Sequence, residues 1–239
     1  MSAVAMRGCF VTGTDTEVGK TRVSAALLRW LAERGQRCAG YKPVAAGTDF
    51  IDGIRVNEDV RALRDASSVA LSDAQVGPYQ FEAACAPHIA AALEGRTIER
   101  GALLQGFQAL VALAECQIVE GVGGFCVPLG PDFDSADLAV DVGLPVVLVV
   151  GLRLGCINHA LLSAEAIHAR GLRLAGWVAN TLDPAMPHLQ ENIVTLRREL
   201  DRRHQAPCLG VVPRLASPDP AAVAAHLDDG ALRALFNLC

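Results

Sequence analysis

Six short segments carry residue types whose chemistry can be read from their order. The first is Gly13-Thr14-Asp15-Thr16-Glu17-Val18-Gly19-Lys20-Thr21, which follows an apolar run and opens into a helical pattern. A polyphosphate needs backbone N–H groups turned inward, a glycine where a side chain would clash, and a lysine to neutralise charge. The hydroxyl after that lysine can ligate a magnesium ion bridging two phosphates. Gly19-Lys20-Thr21 supplies all three in a strand–loop–helix setting, so the segment reads as a nucleotide-phosphate loop. Five residues separate Gly13 from Gly19, one more than in the common pattern, and the physics survives the difference.

Of the other five segments, four admit two readings. Lys42, in Tyr41-Lys42-Pro43-Val44, either stabilises charge on a phosphoryl group in transfer or lies along the surface on its own stem. Asp59 heads a helical stretch over 59–64, where it caps the helix or helps to hold magnesium. Glu120 ends the apolar run 116–120, a costly place for a carboxylate without a partner. Gly121-Val122-Gly123-Gly124 then leaves backbone N–H groups free for an anion. Segment 151–158 (GLRLGCIN) leads into a helix, either as a plain connection capped by Asn158 or as a carboxylate site at the helix N-terminus. Asn180, closing GWVAN, is a turn residue or an amide suited to the donor and acceptor edge of adenine.

Other candidates weaken. Asp132, Asp134 and Asp137 suggest a metal cluster, but Asp134-Ser135 fits a helix cap. The six histidines show no metal-ligand spacing, and GxGG at 121–124 lacks the rest of a dinucleotide fingerprint.

These residues need a scaffold, and the chain alternates between strand and helix. Strand-length apolar runs lie at 8–12, 37–41, 116–120, 145–150, 174–179 and 208–212, with PVVLVV at 145–150 the most hydrophobic and so central. Helical patterns cover 20–34, 98–114, 158–170 ahead of Gly171, and 187–203. The alternation predicts an α/β fold in three layers, α/β/α, a P-loop nucleotide-binding architecture with a mostly parallel sheet. Ligands then bind beyond the carboxyl ends of the strands, where the six segments fall.

The 239 residues fit one domain over 1–239, with no repeat or linker. Aromatics are only 5% against 51% hydrophobic residues, so the core must be aliphatic. A net charge of −5 argues against capture of nucleic acid. Arg197, Arg198, Arg202 and Arg203 alternate with acids and read as a solvated helix face. The eight cysteines show no two-residue spacing, residues 1–7 lack a leader pattern, and no apolar run reaches the ~18 residues of a membrane span. A cytoplasmic chain with reduced thiols and no membrane association is expected.

Together, VTGTDTEVGKT (11–21), GYKPVA (40–45), VEGVGG (119–124), VVGLRLGCINHA (149–160) and GWVAN (176–180) resemble the dethiobiotin synthetases, and the likeness spans nearly the whole chain. Those are ATP-dependent ligases of biotin synthesis, with the same extra residue in the phosphate loop. They carboxylate 7,8-diaminopelargonic acid with CO2 and close a cyclic urea. The resemblance implies ATP as co-substrate and Mg2+ held by Thr21, Asp59 and Glu120. It implies that Lys20 and Lys42 stabilise the transferring phosphoryl group and carbamate. Thr16, Glu17, Val18, Gly19, Gly121, Val122 and Gly123 would surround phosphates, and Asn180, Thr181, Pro213, Arg214 and Leu215 the adenosine end. It further implies a homodimer in which Gly155, Cys156, Ile157 and Asn158 receive the substrate carboxylate across the interface, with Thr16 and Lys42 also touching substrate. One position departs: Ala46 stands where the family typically carries a substrate-contacting serine.

Two other readings share the fold. A partitioning-type switch ATPase would need a basic amphipathic tail and a lysine near the start of the phosphate loop, and neither is present. An amidoligase of the cobyrinate type usually adds a glutamine-hydrolysing domain, for which the chain has no room.

Overall fold

The computed structural model describes residues 7–51 and 54–238. The leader reading on residues 1–6 and the eighth cysteine, Cys239, lie outside them. In chain order the elements are β1 (Arg7–Gly13), α1 (Lys20–Glu33), β2 (Cys38–Tyr41), β3 (Val44–Ala46), β4 (Asp49–Ile51), β5 (Ile54–Val56) and α2 (Glu58–Ala66). There follow α3 (Asp73–Val76), β6 (Tyr79–Phe81), α4 (Pro87–Leu93), α5 (Arg100–Val111), β7 (Cys116–Glu120), α6 (Ser135–Val142) and β8 (Val146–Leu152). The chain closes with α7 (Cys156–Ala169), β9 (Leu174–Thr181), α8 (Leu189–His204), β10 (Cys208–Val212), α9 (Pro220–Ala224) and α10 (Asp229–Phe236).

All six strands read from the sequence join one parallel sheet, in the order β10-β9-β8-β1-β7-β2. Within it β1 lies between β7 and β8, with Val11 opposite both Glu120 and Val147. The chain leaves β1 over β7 to reach β2, and leaves β7 over β1 to reach β8. This reversal opens a crevice at the carboxyl end of β1, the usual ligand position in such sheets.

Burial on both faces explains the uniformly apolar strands. Every residue of β8 is buried. Phe10, Leu148 and Trp177 pack with Phe107, Ile167 and Leu196 on the face covered by α5, α6, α7 and α8. Cys9, Val11 and Val178 pack with Leu27, Leu31, Leu63 and Phe236 beneath α1, α2 and α10.

Several boundaries differ from the sequence reading. The helix expected from 98 starts at Arg100, and the one expected from 187 starts at Leu189, because His188 is left-handed at φ 56. Gly171, at φ +71, supplies the left-handed residue just past α7, as its position suggested. The segment between β2 and α5 folds into short pieces: β3 pairs with β6 in parallel, and β4 with β5 antiparallel. These pieces carry Lys42 and Asp59 to the crevice.

Candidate active site

The loop closing β1 is laced to its neighbours by hydrogen bonds within the protein. The Thr14 N–H donates to the Val149 carbonyl at 3.0 Å, and the Gly151 N–H to Thr14 Oγ1 at 3.4 Å. Glu17 at φ 60 and Gly19 at φ +96 make the left-handed steps that gather successive N–H groups into an anion cradle. A Cβ on Gly19 would stand 2.3 Å from Asn180 Nδ2, so only glycine fits. α1 then begins at Lys20 with no side-chain cap and no acid in its first turn, leaving its leading N–H groups open to a phosphate.

Lys20 is buried, its Nζ donating to the Asp15 carbonyl at 2.9 Å. Burial, with the nearby Lys42 cation, pulls its pKa down to about 8. The Asp15 carboxylate accepts the Thr16 N–H at 2.8 Å and pairs with Arg153 in the loop after β8, and these two partners hold its pKa low. Nothing in the sequence announced the Arg153 contact, which joins residues far apart in the chain.

Thr21, Lys42, Asp59 and Glu120 converge. Thr21 Oγ1 lies 2.6 Å from Asp59 Oδ1 and 2.7 Å from Glu120 Oε1. Lys42 Nζ reaches Glu120 Oε1 at 2.5 Å, Asp59 Oδ2 at 2.9 Å and the Gly121 carbonyl at 3.3 Å. Lys42 is only 2% exposed and Glu120 fully buried, so Lys42 does not lie along the surface. Burial alone would lower the Lys42 pKa, but Glu120 and Asp59 outweigh it and raise the ammonium above its ordinary value. Burial likewise pushes Asp59 up, and Lys42 with Thr21 more than reverses that.

Asp59 is not the helix cap. Asn57 caps α2, accepting from the Val60 N–H, and its amide ties the loop to the Gly47 carbonyl at 2.7 Å. Asp59 is thereby freed to point at Thr21. A hydroxyl carries one proton and cannot donate to two carboxylates at once. Glu120 Oε2 is moreover buried without any partner. Two acids, a hydroxyl and an orphaned carboxylate oxygen behind a phosphate loop fit a hard cation such as magnesium. Among the described residues no group of three or more His, Cys, Asp or Glu side chains is placed to hold a metal.

The glycine segment after β7 faces the phosphate loop: a Cβ on Gly123 would lie 3.6 Å from Thr16 Oγ1. Asn180 is no turn residue. It lies buried in β9, its Nδ2 donating to the Val18 carbonyl at 2.8 Å, which leaves its side-chain oxygen. Thr181 is buried beside it, and exposed Arg214 Nη1 donates to the Leu182 carbonyl at 3.2 Å, drawing 213–215 over the end of β9. At α7 the residue before the helix is Gly155, left-handed at φ +94, so Asn158 lies inside the first turn and is not its cap. That helix also has no side-chain cap and no first-turn acid, and Gly155 and Asn158 are exposed while Cys156 is buried.

Asp134 caps α6 in a reciprocal box with Asp137, and both acids pair with Arg170, which accounts for them without a metal. On α8, Arg198, Arg202 and Arg203 gather on Glu199 as a paired helix face. No helix of the described residues is long and apolar enough to cross a membrane.

Fold and site together define a P-loop protein built for phosphate chemistry. A family model described as an AAA domain matches residues 7–222. The MinC:MinD cell division protein complex of Aquifex aeolicus superposes with a TM-score of 0.58 over 98% of this chain and 96% of that one. At 12% identity, that likeness speaks for the fold alone. The ATP-dependent dethiobiotin synthetase BioD of Aromatoleum aromaticum is 54% identical over 92% of this chain and 96% of its own length. Its namesake in Ralstonia nicotianae is 54% identical over 92% and 94%. The chain belongs to the dethiobiotin synthetase family and is a ligase.

Proposed function

We propose that this chain makes the cyclic urea of dethiobiotin from 7,8-diaminopelargonic acid, CO2 and ATP. One amine adds to CO2 and loses a proton to give a carbamate. A carbamate oxygen attacks the γ-phosphorus, and ADP leaves. The second amine attacks the carbonyl carbon of the resulting mixed anhydride and loses its proton as phosphate departs, closing the ring.

Lys20 and Lys42 stabilise negative charge on the carbamate and the phosphoryl group in transfer. Glu17 to Gly19, with Val122 and Gly123, supply N–H donors around the phosphates, while the N–H groups of the adjoining Thr16 and Gly121 already donate to the Asp15 carboxylate and the Val11 carbonyl. Mg2+ held by Thr21, Asp59 and Glu120 would neutralise charge on the β- and γ-phosphates. Asn180 and Thr181 meet the adenine, with Pro213, Arg214 and Leu215 over it. In a homodimer, 155–158 at the start of α7 receive the carboxylate of a substrate seated on the other protomer, and the exposure of Gly155 and Asn158 supports this. Ala46 removes one hydroxyl from the substrate side. Thr48, whose hydroxyl is buried without a partner, is the next one along the chain.

The observation that carries the reading is the buried Lys42–Glu120 pair beside Thr21 and Asp59, in a chain 54% identical to named dethiobiotin synthetases over nearly its full length. The test is magnesium-ATP turnover with the diamine and bicarbonate, following phosphate release and product mass. Diamine-dependent phosphate with the urea product supports it. Hydrolysis indifferent to the diamine would favour a switch ATPase.

A further inference from the structure

The ammonium of Lys42 sits between the two carboxylates that the proposed function gives to magnesium. Three of their four oxygens lie within hydrogen-bonding distance of a donor: Glu120 Oε1 near Lys42 at 2.5 Å and Thr21 at 2.7 Å, Asp59 Oδ2 near Lys42 at 2.9 Å, and Asp59 Oδ1 near Thr21 at 2.6 Å, with the one Thr21 proton serving a single carboxylate at a time. The fourth, Glu120 Oε2, is buried and unpartnered. Glu120 is fully buried at the end of a central strand and cannot keep its charge there without a cation.

We infer that Lys42 is a placeholder cation, holding Asp59 and Glu120 together until the metal arrives and then releasing them to it. A divalent ion and an ammonium cannot draw on the same oxygen lone pairs, and together they would set three positive charges against two negative ones within a few ångströms. Lys20 adds a fourth nearby. The anions that relieve this crowding are the polyphosphate and the carbamate, and Lys42 can swing toward them on its four-carbon stem. Metal loading thereby delivers the lysine to the reacting group, so that the charge-stabilising ammonium is free only when the metal site is filled. The inference rests on the metal reading of Thr21, Asp59 and Glu120.

The test is Mn2+ binding to the full chain without nucleotide or diamine, followed by loss of the free-ion paramagnetic resonance signal. The wild type is compared with Lys42→Met, which keeps an unbranched side chain one atom shorter and removes the charge. The expected result is that Lys42→Met binds Mn2+ at least tenfold more tightly, and that Mn2+ raises its melting temperature more than that of the wild type. Lys42→Gln serves as a second neutral variant should Lys42→Met fold poorly. Equal or weaker Mn2+ affinity in the folded variants overturns the exchange, while the metal site stands if the wild type still takes up Mn2+ with ATP. No Mn2+ uptake by any of these proteins, even with ATP, overturns the metal reading and the exchange with it.

Discussion

Asn180 Nδ2 donates a 2.8 Å hydrogen bond to the carbonyl of Val18, fastening the end of β9 to the phosphate loop across the sheet. The same amide nitrogen bars any side chain at Gly19. One contact thus shapes the cradle from outside the loop. Gly19→Ala would meet both a left-handed φ of +96 and a 2.3 Å clash. It is expected to cost about 1–3 kcal/mol of stability and to abolish measurable nucleotide binding by calorimetry. Asn180→Ala is expected to fold, at a cost of about 1 kcal/mol, and to bind nucleotide more weakly.

The two acids at the site differ in burial, and their loss should differ in stability. Removing Glu120 leaves Lys42 buried beside only the partly exposed Asp59. Glu120→Ala is expected to lower the urea-unfolding free energy by about 3 kcal/mol. Asp59→Ala leaves the buried pair whole, and the side chain it removes is 41% exposed; a cost under about 1 kcal/mol is expected. Equal costs would mean that Lys42 is held by both acids alike.

With Lys20 on the phosphates as proposed, it is expected to carry the pH dependence of nucleotide affinity. Its pKa in the free protein is about 8, lowered chiefly by burial, and a bound polyphosphate favours the charged form. Binding must therefore take up a proton once the pH exceeds 8. ATP affinity is expected to be flat below that value and to fall about tenfold per pH unit above it. Calorimetry in buffers of different ionisation enthalpy would show the proton uptake, and Lys20→Met should lose it.

His204 governs a separate, structural pH response between α7 and α8. Its Nε2 is buried without a hydrogen-bond partner, 3.6 Å from Glu165 Oε1, and its ring lies 5.9 Å from that of His168. Burial lowers its pKa; Glu165 opposes this, while His168 and Arg203 add to it. The folded state thus binds the proton less readily than the unfolded one. Stability should be level above the unfolded pKa of about 6.5 and decline as the pH falls below it. Urea midpoints between pH 5 and 7.5 should show this slope, and His204→Asn should flatten it.

Ala46 offers a gain-of-contact test. On the proposed function, Ala46→Ser should lower KM for the diamine with little change in kcat, since it would supply the hydroxyl that the family resemblance places against substrate, without touching the phosphate loop. No gain in diamine affinity would assign that contact elsewhere, with Thr48→Val the next variant to assay.

Much of this protein was legible along the chain. The six sheet strands, the phosphate loop and Glu120 rest on local chemistry: apolar runs for a sheet covered on both faces, a glycine with a lysine and a threonine before a helix, and a carboxylate at a strand end. None of these requires a distant residue to be recognised. The short pieces β3 to β6 were not legible, because strands of three residues carry no periodicity and are held by partners elsewhere. Asn57 as the cap of α2 was within reach, since an asparagine before Glu58 and Asp59 is an ordinary helix start.

Only the tertiary structure decided between the paired readings. Lys42 could lie along the surface or be buried, Asp59 could cap its helix or leave the cap to a neighbour, and Asn180 could sit in a turn or in the strand, because each local sequence satisfies both. The choice depends on contacts across long separations: Lys42 with Glu120, Thr21 with Asp59, Asn180 with Val18 and Arg153 with Asp15. Such pairings form where the crossovers of the sheet bring loop ends together, and their strength comes from burial that no single segment possesses. The residue types set the chemistry available, and the fold placed two carboxylates, a hydroxyl and an ammonium within hydrogen-bonding reach of one another.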